Sequence, residues 1–172
     1  MRLTQILSKE VEREGLLNAA VLANVPSGRG DWKPHEKSMP LGRLASLVAT
    51  MPSWLTMMVE RDDFDLNPPE GRNSSEFAQT FETSEALVRA SNEGIAGARK
   101  ALDGTSDDHL MKPWQLKAGG NVVSQKARHE FLQETINHLA HHRGQLTVYL
   151  RMNDAKVAAT YGPSADDQRF DY

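Results

Sequence analysis

An all-α fold, a four-helix bundle, is the architecture that this sequence predicts. Three observations carry the expectation. Four long stretches place apolar residues at helical spacing. A long connection rich in Pro, Asn and Gly separates the second from the third and supplies a crossover. The strand signal is confined to a small irregular hairpin before the last helix. Residues 1–172 are expected to form a single domain, long enough to bury a real core.

The first helix is expected over residues 3–24, with Leu3, Ile6, Leu7, Val11, Leu17, Val21 and Leu22 on its apolar face and Glu14 beside it. Val25-Pro26-Ser27-Gly28 stops it. Residues 26–40 read as a loop that Trp32 packs under, with Ser38 as N-cap and Pro40 in the first turn of the next helix. That second helix, 39–60, carries Leu41, Leu44, Val48, Met51, Leu55, Met58 and Val59, with Leu47 and Trp54 on the shoulder of the stripe. Pro52 lacks an N–H and is expected to kink or break it.

Residues 61–82 form the long connection, pinned by Phe77 and Phe81. The third helix runs over 83–102, or from as early as Ser75. Its face is marked by Leu87, Val88, Ser91, Ile95, Ala98 and Leu102. Gly94 and Gly97 weaken it but allow a neighbour to approach closely. Asp107 to Leu110 suits a single helical turn, and Ala118-Gly119-Gly120 suits the tip of the hairpin. The fourth helix is expected over 126–152, followed by a tail that lies back over the bundle through Tyr161.

Composition narrows the function. A net charge of −3 with no basic run argues against a nucleic-acid partner. No apolar run is long enough to span a bilayer, and the polar, amphipathic start does not read as a signal peptide, so a cytoplasmic location is the default. The sequence has no cysteine, which removes disulfides and thiolate ligands and means that any thiol chemistry needs a thiol from a small molecule.

Chemistry concentrates in the fourth helix, in Asn137-His138-Leu139-Ala140-His141-His142-Arg143-Gly144-Gln145. His138 and His142, four residues apart, lie about 40° apart around the axis and one turn apart along it. Imidazoles so placed suit two readings: buried, hydrogen-bonded core histidines, or two ligands of one metal ion. Both share a shoulder row with Tyr149, while His141 points away as a solvated or hydrogen-bonding neighbour. His35, in the loop ahead of the second helix, is a further pocket candidate. Arg143 falls inside the apolar stripe, where a guanidinium needs a carboxylate, and Glu14 is the first choice.

The stretch Asn137–Arg151 (NHLAHHRGQLTVYLR), with Trp32–Met39, Leu41–Ala45, Pro52, Trp54 and Tyr161–Asp166 (YGPSAD), resembles the DinB/YfiT-like superfamily of bacterial metal-dependent enzymes. The resemblance spans nearly the whole chain. It implies a bundle with one long crossover, often a homodimer, and a divalent metal, zinc or nickel, held by three histidines. Two of these match His138 and His142. The third position, in a pattern like L-A-x-H-V-A, is occupied here by Leu47 in Leu44-Ala45-Ser46-Leu47-Val48-Ala49. Leucine cannot coordinate, so the metal is expected to be weakly held or absent. The resemblance also implies thiol transfer or hydrolysis with a low-molecular-weight thiol. The alternative is a metal-free, small-molecule-binding or stress-related member without catalysis. The expected pocket is bordered by His138, His142, Leu47, Trp54, Tyr149 and His35.

Overall fold

A computed structural model of the protein describes residues 2–68 and 81–170. Its elements are α1 (Leu3–Leu22), α2 (Leu41–Glu60), β1 (Asp63–Asp65), α3 (Ser84–Asp103), α4 (Asp107–Leu110), β2 (Pro113–Ala118), β3 (Asn121–Ala127) and α5 (Arg128–Met152). The four long helices are the four that were expected, each within two residues at either end. Both α1 and α2 pack broadly on α3, and both also meet α5, whereas α1 and α2 touch little. The order around the bundle is therefore α1, α3, α2, α5. The steps from α1 to α2 and from α3 to α5 cross between diagonal positions, whereas the long connection between the second and third helices, where the crossover was expected, joins neighbours.

The helix starts are secured differently from the expectation. Pro40, not Ser38, is the N-cap of α2, and no side chain caps it. Carbonyls of the preceding loop do that work: Leu41 N donates to Trp32 O at 2.7 Å and Gly42 N to Gly30 O at 2.9 Å. At the start of α1, the Asp107 carboxylate accepts from Leu3 N and Thr4 N, both at 2.9 Å, so α4 caps a helix a hundred residues earlier in the chain.

Pro52 neither breaks nor ends α2, which runs continuously from Leu41 to Glu60. A regular helix would have the residue 52 N–H donate to Val48 O. Proline leaves that carbonyl free, and Asn18 Nδ2 of α1 fills it at 3.0 Å while also donating to Ser91 Oγ of α3 at 2.8 Å. Asn18 and Ser91 are fully buried. Gly94 completes this notch, because a β-carbon there would lie 2.9 Å from Ser53 N and 3.0 Å from Pro52 Cβ. The expected close approach at Gly94 is thus real, and its partner is the proline-containing turn.

The fold is helical with a small three-stranded sheet, one strand more than the expected hairpin. β1 pairs parallel to β2, and β2 pairs antiparallel to β3. Gly119 and Gly120 turn the hairpin with φ of 60° and 81°, the left-handed values that a two-residue loop of this type needs. The Asp65 carboxylate accepts from the backbone N–H of both glycines and of Asn67. β3 runs into α5 with no intervening residue. At that joint Arg128 is fully buried and donates to Met58 O, Arg61 O, His109 O and the Asp62 carboxylate.

Two apolar clusters form the core. One gathers the sheet side of the bundle around Leu55, Leu102, Trp114 and Leu132, and the other its opposite end around Leu44, Met51, Leu87 and Leu146. Phe81 packs on the second cluster. Phe77, and a third helix beginning at Ser75, lie outside the described residues.

Arg143 is buried and meets Glu14 as expected, with Nη2 donating to Oε2 at 2.6 Å and Nη1 to the Glu14 carbonyl at 3.2 Å. Tyr161 reaches the same pair from the tail. Its hydroxyl donates to Glu14 Oε2 at 2.8 Å and accepts from Arg143 Nη2 at 2.6 Å. Burial, then the hydrogen bond to Glu14, raises the phenol pKa and keeps it a donor.

Candidate functional site

α5 brings His138 and His142 together. Their Nε2 atoms are 2.8 Å apart and their ring centroids 4.5 Å. Neither is a core histidine. His138 is exposed and His142 half-buried, so the pair lies on the rim of the bundle rather than inside it. The shoulder position on the apolar stripe has this consequence: one edge of each ring meets protein and the other meets water.

Gln145 and His141 extend the pair into a hydrogen-bonded chain. Gln145 Oε1 lies 2.9 Å from His142 Nδ1, and Gln145 Nε2 lies 3.0 Å from His141 Nε2. A carbonyl oxygen only accepts, so in this amide orientation His142 carries its proton on Nδ1 and turns an Nε2 lone pair towards His138. His138 then donates from Nε2. The inner edge of the His138 ring is removed from water although the residue as a whole stays exposed. That desolvation, then the nearby His142 and His141, holds its pKa below the ordinary imidazole value.

α2 supplies the facing wall. Leu47, half-buried, and Trp54 line the same cavity as His138, with the Trp54 and His138 rings 6.4 Å apart. The cavity, about 450 Å³, lies between α2, α5 and the sheet. Met57, Met58, Phe64, Leu66, Trp114, Leu116 and Phe131 complete its apolar lining, and Arg43, Glu134 and Thr135 add polar groups. Its volume falls within the range of small-molecule pockets.

The other two pocket candidates stand elsewhere. Tyr149 shares the row of the two histidines but lies eleven residues beyond His138, about 16 Å further along the helix axis. There it meets Trp32 edge-on at 5.4 Å and donates to Met39 O at 3.3 Å. His35 is exposed in the loop, where its Nδ1 accepts from Lys37 N at 3.2 Å. Neither lines the cavity, and of the histidine pair only His138 does. The walls contributed by the sheet, Phe64, Trp114 and Leu116, were not foreseen. Nor was Gln145, although its spacing of three and four residues from His142 and His141 is a readable signal.

The two Nε2 atoms converge well enough for a shared metal: with bonds of about 2.05 Å, their separation subtends about 90° at the ion. A three-imidazole site is a different matter. Among the described residues, no three His, Asp or Glu side chains converge, and Leu47, which lines the cavity with His138, has no ligand atom to offer. The residues present do not fit that centre.

A helical bundle with a histidine pair at the mouth of an apolar cavity is the class of protein that the fold and this site define. The DinB family matches the sequence over residues 5–169, and the chain belongs to that family. Two solved structures are similar to it: a DinB-like protein from Bacillus cereus and a DinB-like protein, YjoA, from Bacillus subtilis. The first is 18% identical with a TM-score of 0.69, covering 90% of this chain and 95% of that one. The second is 16% identical with a TM-score of 0.64, covering 95% and 99%. At these identities the likeness is one of fold. No curated protein matches the chain. None of its described helices is long and apolar enough to cross a membrane.

Proposed function

We propose that this DinB-family protein binds a small, largely apolar molecule in the cavity between α2, α5 and the sheet, and holds a divalent metal weakly or not at all. One observation carries the reading: Leu47 lines the same cavity as His138. A leucine there takes away a metal corner and adds apolar wall to a pocket that is already apolar. His138 and His142 then serve as a hydrogen-bonding pair at the mouth. A homodimer and a cytoplasmic location belong to the same reading.

A second reading, metal-dependent thiol transfer or hydrolysis with a supplied low-molecular-weight thiol, is favoured by the convergence of the two Nε2 atoms at 2.8 Å. Titration calorimetry and thermal melts with zinc and nickel separate the two. The expected outcome is weak or undetectable binding by the parent and tight binding by Leu47→His, with a metal-dependent rise in melting temperature only in the variant. Without metal the variant should melt below the parent, because a polar imidazole replaces an aliphatic side chain in an apolar wall. A parent that already binds with three-imidazole strength would show a surrogate ligand and overturn the reading of Leu47. A variant that gains nothing would show that residue 47 does not face the pair.

A further inference from the structure

The shape of the cavity and the placing of its charges describe an occupant more narrowly than apolarity does. α2 lines it with Arg43, Leu47, Trp54, Met57 and Met58. At 100° per residue these five fall within about 100° of one another around the axis, in a single stripe. Arg43 and Met58 belong to one unbroken helix, so their spacing makes the stripe about 22 Å long. Spread over that length, a volume of about 450 Å³ leaves a mean section of about 20 Å². That is room for one extended hydrocarbon chain. A compact cage is too wide for it, and a lipid with two chains is too large.

The two ends differ. Met58, Trp114 and Phe131 are almost fully buried and close the cavity at the sheet. α2 and α5 run antiparallel, since Arg128 at the start of α5 donates to Met58 O and Tyr149 near its end donates to Met39 O. Phe131, Glu134, Thr135 and His138 therefore wall the cavity from the sheet to about its middle, and on α2 Leu47 and Arg43 carry it past the histidine. Glu134 stands in the sheet half, where Lys126 pairs with it. Arg43 is half-buried at the far end. Side chains on a helix lean towards its N-terminus, which carries the guanidinium further from the sheet.

Building on the cavity-binding reading above, we infer that the occupant is a free, unbranched, medium-chain monocarboxylate, its tail directed at Met58 and Trp114 and its carboxylate at the Arg43 guanidinium. A guanidinium and a carboxylate form two parallel charge-assisted hydrogen bonds, stronger than a neutral pair. Arg43 also lines the adjoining hollow with Asp31 and Glu82, so a ligand head competes with protein groups for it. A head whose chain is already seated meets the guanidinium at high local concentration, which a short anion such as acetate does not. The chain supplies the affinity, and Arg43 is the residue that selects the head.

A set of small probes tests it. Decanoate, decanol and decylamine share a chain and differ in head. Hexanoate and octanoate shorten the chain, and adamantane carboxylate keeps the head on a compact body. Binding is followed by titration calorimetry and by the fluorescence of Trp54 and Trp114, below the concentrations at which the probes aggregate. Affinity should rise about fourfold per methylene from hexanoate to decanoate. In Arg43→Gln the ratio of the decanoate and decanol dissociation constants should shift about tenfold towards the alcohol. An unchanged ratio, or tighter binding of decylamine than of decanoate by the parent, would overturn the assigned head. No gain with chain length, or adamantane carboxylate binding as tightly as decanoate, would overturn the assigned shape. Each of these leaves the cavity a binding site. If no probe binds the parent, the cavity-binding reading itself is wrong. Should Arg43→Gln not fold, salt decides on the parent: decanoate should lose affinity relative to decanol as ionic strength rises, and parallel responses would overturn the head.

Discussion

Gln145 shows how a surface residue sets the chemistry of a neighbour. Its amide joins His141 to His142 and leaves the His142 Nε2 lone pair turned towards His138. Replacing it by leucine should release the ring. We expect ¹⁵N imidazole spectra of the parent to show His142 with its proton on Nδ1, and those of Gln145→Leu to show a mixture of tautomers. A parent already mixed would remove Gln145 from this role. Arg143 poses a different question, because both it and Glu14 are about 1% exposed. Arg143→Met leaves the buried Glu14 carboxylate with the Tyr161 hydroxyl and only the half-exposed Arg13, whose guanidinium lies 3.3 Å from Oε1, and should cost about 3 kcal/mol in chemical denaturation. Adding Glu14→Leu should recover most of the loss, since an apolar pair requires no desolvation of charge. The pairing itself was legible from the sequence: a guanidinium inside an apolar stripe demands a partner, and Glu14 was the carboxylate nearest an apolar face. The part of Tyr161 was not, because the path of a tail leaves no periodic trace.

At the scale of elements, helices were easy to read and what ends or joins them was not. Apolar spacing located all four helices, since twenty residues give five or six turns of repeated signal. β1 has three residues, too few for alternation to show, and it pairs with residues 52 positions later, Asp63 with Gln115. Caps from distant segments, such as Asp107 on α1, are invisible to a local pattern. Pro52 is the instructive case. Its missing N–H predicts a kink, but Asn18 takes over the vacated carbonyl and keeps the helix in the bundle. Asn18→Ala should therefore cost about 2 kcal/mol, more than a typical single hydrogen bond, because it leaves Val48 O buried and unpaired. Equal stability of parent and variant in urea denaturation would show that water enters the notch instead. The candidate site was half legible for a related reason. Angular position around a helix tells which side a residue faces, and His138, Leu47 and Trp54, all on shoulder positions, line one cavity. It does not tell height along the axis, which is why Tyr149 joined a pocket about 16 Å away from it. His35 was grouped by proximity in the chain, and an exposed loop side chain is under no such constraint.

For the molecule as a whole, the chain is tied together by contacts between segments distant in sequence. Asp107 holds the start of α1, and Glu14 holds the tail through Tyr161. The Asp107 carboxyl is held below its ordinary pKa by the backbone N–H groups of Thr4 and then Leu3. A depressed carboxylate pKa contributes stability above the unfolded value, about 4, and the contribution is lost as pH falls through the folded value. Asp107→Asn should thus melt below the parent at neutral pH, and the gap should narrow below about pH 4 and close in stronger acid. A gap that persists unchanged in acid would assign the effect to packing and not to charge.

The direct passage of β3 into α5 also determines where the gene can gain or lose codons. The Gly119–Gly120 tip faces solvent, and an extra residue there lengthens a loop while both strands keep their pairing. Between Lys126 and Arg128 there is no such slack, because Arg128 is clamped by four bonds and the helix begins at that residue. One codon inserted just after the clamp would advance every later residue by about 100° around α5. His138 would turn away from the cavity and Arg143 away from Glu14 in the same step. Insertions and deletions in natural variants of this chain should accordingly collect at the hairpin tip and be absent from the dozen or so residues that separate the joint from the histidines.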